Sequence, residues 1–381
     1  MTQLVDKTEP AALIAMRSRA ENALAENGLP TGKEETFRFT KIAPIIRTTF
    51  TPAPEADGAA FAQQYTFGSD AVAEVVFVNG RLAANLTRVD DLPPGLTIST
   101  LSDADPFVVQ KYLGTLADPH THPFAAYNGA NFADGVFIRV ARSATITKPI
   151  HLLFISIGAS GPVVAHPRVL AVIEDNAEAT LVESYVGRGD KYLTNAVTEI
   201  HCGQDARIDH CKLQQESTTA FHTAVMNVVI GRATQFVSHA INVGALVSRN
   251  DLAVKLDGEG AYATLNGLVL LDGQQHCDNH TLLDHAKPNC PSHELYKHVL
   301  GDASSAVFKG QIYVNQIAQK TNAKQSSKSL LLSDRAMMNS MPALEIYADD
   351  VKCTHGSTIG PIDDDLVFYL RSRGVGIEAA R

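Results

Sequence analysis

The sequence predicts a mainly β protein whose core is a β-solenoid, preceded by a mixed α/β region and followed by a helix. From about Asn131 to Val351 the chain consists of short β-rich runs separated by Gly, Asp and Asn, with little helical periodicity. Several of these runs resemble one another. Recurrence of a β-rich unit is typical of a solenoid, in which each turn stacks on its neighbours.

The repeat can be measured from a small residue that follows each turn. Four runs align at spacings of 27, 28 and 27 residues on Ala179, Ala206, Thr234 and Ala261. A further copy of the run places Ser305 at the same position, which is 44 residues after Ala261. Long hairpins in a β-sandwich give similar spacings, so that alternative stays open. The polar segment 318–329 favours the solenoid, because Asn, Gln, Ser and Thr side chains can stack as hydrogen-bonding ladders between coils.

The N-terminal region, residues 1–128, is predicted to contain helices and a strand. Pro10 is placed to open a helix that Gly28 closes. One broad apolar face of this helix is predicted to carry Leu13, Ile14, Met16, Ala20 and Leu24. The apolar content of residues 74–79 predicts a strand. The spacing of Val, Tyr and Leu over residues 106–116 predicts a second helix.

The composition of the chain limits the classes of function that it can have. The chain has 32 Lys and Arg against 41 Asp and Glu, and its net charge of −9 gives no general attraction to nucleic acid or to an anionic membrane. No apolar run approaches the roughly 18 residues of a spanning helix, and the N-terminus lacks a signal-peptide pattern. We therefore expect a cytoplasmic protein. The five cysteines are odd in number and dispersed, which indicates reduced thiols.

A glycine-rich stretch near the N-terminus is similar to a phosphate-binding loop but departs from it in two respects. Three residues instead of four separate Gly28 from Gly32, and Glu34 follows Lys33 where Ser or Thr would bind magnesium. We therefore reject a nucleotide site there.

The stretch from residue 344 to residue 374 is the densest in reactive side chains. Its first residues alternate apolar and polar side chains as a half-buried strand does. The alternation resumes so that Cys353 and His355 project from one face, and a thiol beside an imidazole could bind a soft metal. A helix is predicted to follow, with acidic residues at its start and Arg371 near its end. Its apolar side is predicted to carry Leu366, Phe368, Tyr369 and Leu370.

Three segments carry a family likeness: AQKTNAKQSSKSLLLSD, LEIYADDVKCTHG and FYLRSRG. They resemble the SufD branch of the SufB/SufD family, which belongs to the SUF system of iron-sulfur cluster assembly. The segment GLPTGKEETFRFT resembles the N-terminal signature of that family, with Phe37 and Phe39 where Trp and Tyr are more frequent. The likeness extends across nearly the whole chain.

The resemblance implies a right-handed parallel β-helix over residues 129–360, pairing edge to edge with SufB and held by the ABC ATPase SufC. On that basis Cys353 and His355 lie at the SufB interface, where the nascent iron-sulfur cluster forms. Family chains usually continue for several further helices that dock SufC, so we expect residues 361–381 to begin a longer C-terminal helical region. The chain is then a non-catalytic scaffold that binds no cofactor stably when isolated. Homodimer formation by the isolated chain and flavin binding by the complex stay open.

A rival metal signal lies upstream. The pairs Cys277-x-x-His280 and Cys290-x-x-His293 have spacings that suit tetrahedral zinc. SufD-like chains, however, show His276, Asp278 and His285 in this stretch without needing Cys277 or Cys290. We therefore interpret these positions as scattered polar residues on solenoid turns.

Two function classes follow from the sequence. The first is the scaffold subunit, and the second is a zinc-binding or hydrolytic β-helix enzyme. On the residues alone, Cys353 reads more readily as a packed thiol and His355 as a loop residue, and the resemblance reverses that preference. Hydrolysis would need an orienting third group and an oxyanion site, and the sequence contains no nucleophile-elbow motif.

Overall fold

A computed structural model describes residues 10–380, and the predicted β-solenoid is confirmed with about eight turns. The residues that argue against a signal peptide lie, except for Pro10, outside the described part. The helices are α1 (Ala11–Asn27), α2 (Ala43–Ile46), α3 (Ala59–Ala62), α4 (Pro106–Tyr112), α5 (Pro123–Asn131), α6 (Asp364–Ser372) and α7 (Ile377–Ala380). The described helices include none long and apolar enough to span a bilayer.

The strands form one sheet of twelve and one of ten. In chain order they are β1 (Thr51–Pro52), β2 (Ala73–Val78), β3 (Arg81–Leu82), β4 (Leu96–Thr100), β5 (Val136–Val140), β6 (Ile150–Ile157), β7 (Val163–Ala165), β8 (Arg168–Ile173), β9 (Glu178–Arg188), β10 (Tyr192–Cys202), β11 (Arg207–Gln215), β12 (Phe221–Ile230), β13 (Gln235–Asn242), β14 (Val247–Leu256), β15 (Tyr262–Leu271), β16 (His276–His285), β17 (Pro291–Leu300), β18 (Ser305–Val314), β19 (Asn322–Leu331), β20 (Met337–Ser340), β21 (Ala343–Ile346) and β22 (Lys352–Pro361).

From β8 onwards, consecutive long strands alternate between the two sheets. Even-numbered strands from β10 to β20 follow one another in the twelve-stranded sheet, and odd-numbered strands from β9 to β19, then β22, follow one another in the ten-stranded sheet. All these neighbours pair in parallel. Each coil therefore contributes one strand to each sheet, and the core lies between the sheets.

The turn that enters the ten-stranded sheet explains the repeat in the sequence. In five successive coils a residue with positive φ precedes a small buried residue: Asn176 before Ala177, Asp205 before Ala206, Ala233 before Thr234, Gly260 before Ala261, and Asn289 before Cys290. Asn, Asp and Gly tolerate the left-handed backbone that such a corner requires. The small residue then fits against the next coil.

The predicted repeat alignment is wrong at its first position, Ala179, and at its last, Ser305. Glu178 pairs with Arg207, so the equivalent of Ala206 is Ala177 and not Ala179. The two alanines are both buried and stand two residues apart, which is why the pattern could not separate them. Ser305 begins β18 in the twelve-stranded sheet and is not a copy of the same turn.

The N-terminal region contributes strands to both sheets. The strand β2 pairs in parallel with β6, and β4 pairs antiparallel with β5. The predicted first helix is confirmed as α1, whose end is marked by Gly28 at φ +68°. Its neighbour α5 lies against it, but Ile14, predicted on the buried face, is exposed. The predicted boundary after residue 128 stays a prediction.

The C-terminal elements follow the predicted order of strand, turn, strand and helix. The carboxylate of Asp363 caps α6 by accepting a hydrogen bond from the backbone N–H of Asp365 at 2.9 Å. The predicted apolar side of α6 points largely outwards, since Phe368 is 71% exposed and Val367 is the helix's buried residue.

Candidate functional site

The solenoid ends in a coil whose strands are paired on one side. In the ten-stranded sheet β22 pairs with β19, and in the twelve-stranded sheet β20 and β21 pair with β18. Across residues 10–380 no strand pairs with the other edge of β22. Backbone N–H and C=O groups at such an edge can pair with another chain. The last coil therefore offers a template for strand addition.

Cys353 and His355 lie on this edge strand, two residues apart, as predicted. Their register partners on β19 are Ala323 and Gln325, both of which face the interior. Cys353 is half-buried against the central core, whereas His355 is exposed. The pair thus points to the inner side of the sheet at the place where the solenoid opens.

The chemistry of the pair suits a soft metal only with further ligands. Burial raises the pKa of the Cys353 thiol, so it is protonated at neutral pH until a metal displaces the proton. A thiolate and a neutral imidazole are ligands for iron or zinc. Two ligands are fewer than the four of a tetrahedral site. A tetrahedral metal site here would need further ligands from outside the pair.

Beneath His355, two polar side chains continue inwards in the same register. Gln325 on β19 pairs with Glu294 on β17, and the Gln325 amide Nε2 donates to Glu294 Oε2 at 2.6 Å. Burial raises the pKa of Glu294 to about 7. Sequence reasoning predicted a polar ladder in this segment but not the carboxylate below it, because Glu294 lies a full coil earlier in the chain.

The four residues of the candidate zinc pattern are not brought together. Cys277 faces the interior of the twelve-stranded sheet, and His280, three residues on, faces its outer side. Cys290 occupies the small-residue position of a turn, with its Sγ 3.3 Å from the carbonyl oxygen of Gly258. Within the described ranges no three His, Cys, Asp or Glu side chains are grouped as metal ligands.

His280 instead belongs to a cluster of charges on the outer face of the twelve-stranded sheet. Arg249 donates to Asp251 at 2.6 Å and to Asp278 at 2.7 Å, and its guanidinium also contacts the His280 ring. The hydroxyl of Thr40 donates to Asp278. The cluster lines a cavity of about 370 Å³ and attaches the N-terminal region to the solenoid.

A second cluster has the connectivity of a hydrolytic triad. His151 Nδ1 lies 3.1 Å from Glu74 Oε1, and His151 Nε2 lies 2.9 Å from Ser184 Oγ. The Phe67 ring stacks on the imidazole with centroids 4.0 Å apart, and Ser184 is 2% exposed. The hydroxyl is thus covered in this conformation. No sequence motif identifies this set, because its members come from three separate strands.

A third polar network lies inside the solenoid. Lys212 Nζ lies 2.9 Å from His222 Nε2, and His222 Nδ1 lies 2.7 Å from Glu216 Oε2. Burial lowers the pKa of Lys212 to about 8, although Glu183 and Glu216 oppose that shift. The network is enclosed by coils on both sides and lies apart from the open end.

Comparison with known proteins gives one consistent result. The sequence-family model of the SufBD core domain, described as SUF system FeS cluster assembly, matches residues 154–381. The model of the SufBD N-terminal region matches residues 1–152.

The chain is similar to several proteins over most of its length. It is 31% identical to an iron-sulfur cluster assembly SufBD family protein of Synechocystis, covering 99% of this chain and 86% of that protein. It is 32% identical to the iron-sulfur cluster assembly protein SufD of Escherichia coli, covering 94% and 83%. It is 30% identical to the chloroplastic protein ABCI7 of Arabidopsis thaliana, covering 96% and 79%.

Proposed function

Because the chain belongs to the SufBD family of SUF iron-sulfur cluster assembly proteins, we propose that it is a non-catalytic scaffold subunit that pairs with SufB and helps to hold the nascent cluster. The family membership supports a role in iron-sulfur cluster assembly. The proposal also names a partner, an interface and a set of ligands, and a separate observation supports each of them.

The observation that carries the partnership is the open edge of β22. The last coil also carries four substantially exposed apolar side chains: Met337, Ile346, Tyr347 and Ile359. Exposed apolar side chains beside an unpaired strand edge are features of a surface that another protein covers. A second solenoid of the same family could continue both sheets through strand addition. SufB is the occupant we propose.

The same edge carries the proposed ligands. Cys353 offers one thiolate and His355 one neutral imidazole to iron, and SufB supplies the remaining ligands across the interface. The nascent cluster is the cargo of the assembly and not a resident cofactor. Since Cys353 and His355 alone are too few ligands for a cluster, the isolated chain holds none stably.

The ATPase SufC is the second proposed partner. The chain has no Walker A loop at Gly28 to Glu34, so nucleotide hydrolysis is assigned to SufC. We propose that the complex acts in the cytoplasm. In support, all five cysteines are unpaired, as expected of a reducing compartment.

Co-expression with SufB and SufC, followed by size-exclusion chromatography, tests the partnership. Ile359→Lys places a charge at the open edge and is expected to weaken the complex at least tenfold, because burying an unpaired charge costs several kcal/mol. Leu270→Lys is the matched control, since Leu270 is similarly exposed but lies on β15 in mid-solenoid. Equal retention of SufB by both variants would contradict the proposed interface.

A further inference from the structure

Three polar side chains form a column that runs from the open end into the solenoid. His355, Gln325 and Glu294 occupy the same register on β22, β19 and β17, and Gln325 and Glu294 are each 3% exposed. Neighbouring strands are about 4.8 Å apart, so Gln325 is the nearest inward polar neighbour of His355 in its own sheet. Glu294 is two strand spacings away and reaches the imidazole only through Gln325.

The hydrogen bond to Glu294 orients the Gln325 amide. Because the Gln325 Nε2 donates to Glu294 Oε2 at 2.6 Å, the other amide atom, Oε1, is turned away from that carboxylate. Gln325 Oε1 is buried and accepts no hydrogen bond from any of residues 10–380. Leaving a buried carbonyl oxygen without a partner is unfavourable, which is evidence that a donor is missing.

The opposite sheet makes room for this amide. A side chain at Gly310 on β18 would overlap the Gln325 Nε2 and come within 2.7 Å of the Phe308 ring. The lack of a side chain at Gly310 therefore leaves room for the Gln325 amide in the interior. The three members of the column lie on the ten-stranded sheet, and the opposite sheet accommodates them.

We propose that Gln325, held by Glu294, is a positioning residue for His355, accepting a hydrogen bond from the ring nitrogen that does not bind iron. The inference rests on the proposed function of His355 as a ligand. Histidines that bind metals usually donate their second ring N–H to a carbonyl or carboxylate, which fixes the tautomer and the ring orientation. Gln325 Oε1 is an acceptor of this kind in the right register.

The first readout is the tautomer of His355 in the isolated chain, measured by long-range ¹H–¹⁵N NMR. The His355 signal is assigned by its loss in His355→Asn. Wild type is expected to show one tautomer, and Gln325→Met a mixture, because methionine keeps the length but removes the acceptor. Lys324→Met is the matched control, since Lys324 is the exposed neighbour of Gln325 on the outer face. It should leave the tautomer unchanged.

Anaerobic titration of the SufB-containing complex with ferrous iron alone provides the second readout. Gln325→Met is expected to weaken iron binding about 10- to 100-fold, as loss of a ligand's hydrogen-bond partner typically does. An unchanged tautomer or an unchanged affinity in Gln325→Met overturns the proposal. Should that variant not fold, Gln325→Leu is judged by the same two criteria. Normal iron binding by His355→Ala would instead reject the ligand role itself, while the tautomer measurement would still decide the hydrogen bond.

Discussion

Loss of the buried Glu199 charge should cost a large part of the stability of the fold. Glu199 and Arg168 are fully buried and form an ion pair. The Glu199 carboxylate also accepts backbone hydrogen bonds from Gly114 at 2.9 Å, Leu116 at 3.0 Å and Ala117 at 3.2 Å. Burial alone would raise the pKa of Glu199, but Arg168 and these N–H groups outweigh it and hold the pKa below its ordinary value. The group is therefore ionised at neutral pH.

The perturbation is Glu199→Gln, which keeps the volume and removes the charge. Arg168 is then a buried charge without its counterion, and breaking a buried pair in this way costs about 3–5 kcal/mol. Urea unfolding followed by far-ultraviolet circular dichroism measures the change in the free energy of unfolding. Adding Arg168→Met to the first change should recover part of the loss, because the uncompensated charge is then removed.

An exposed ion pair provides the control. Glu174 accepts from Arg139 on the surface, so Glu174→Gln should cost at most about 1 kcal/mol. A loss of stability in Glu199→Gln no larger than that in Glu174→Gln would contradict the expected cost of an unpaired Arg168 charge.

Three further outcomes are expected. Cys277→Ser and Cys290→Ser should leave folding and metal content essentially unchanged, since neither thiol lies in a ligand cluster; one zinc per chain, lost in either variant, would show otherwise. Burial lowers the pKa of His276, His285 and His298 to about 4, so between about pH 6.5 and 4 the unfolded chain binds more protons than the folded one. Their contribution to stability is complete above about pH 6.5 and declines as the pH falls towards 4; a urea midpoint that stays constant from pH 7.5 to 4.5 would contradict this. The purified chain should not hydrolyse ATP, and steady turnover in a preparation free of SufC would contradict the rejection of a phosphate loop.

The fold was predictable because its signals are local. Each coil repeats a short β run and a corner where Asn, Asp or Gly is favoured, and such features survive in a single sequence. The position of α1 and the cap of α6 also depend on neighbouring residues only. The register of the first repeat was not predictable, because Ala177 and Ala179 are equally small, are both buried and stand only two residues apart.

The site was predictable only in part, because only some of its residues are close together in the sequence. Cys353 and His355 are two residues apart on one strand, so period-two geometry places them on one face. Their surroundings come from other coils: Gln325 lies 30 residues before His355, and Glu294 lies 31 residues before Gln325. The exposure of the apolar side of α6 was missed, since an apolar stripe predicts burial without showing which chain provides it.

Cluster loading of the SufB-containing complex with His355→Ala shows whether His355 is a ligand of the nascent cluster. Iron content and visible absorbance are measured after anaerobic purification, beside wild type and Cys353→Ser. We expect His355→Ala to leave the fold and the complex intact but to abolish cluster formation. Cys353→Ser should have a milder effect if SufB provides the principal sulfur. Normal loading in His355→Ala would contradict the ligand role, and failure of that variant to assemble would assign His355 a structural role instead.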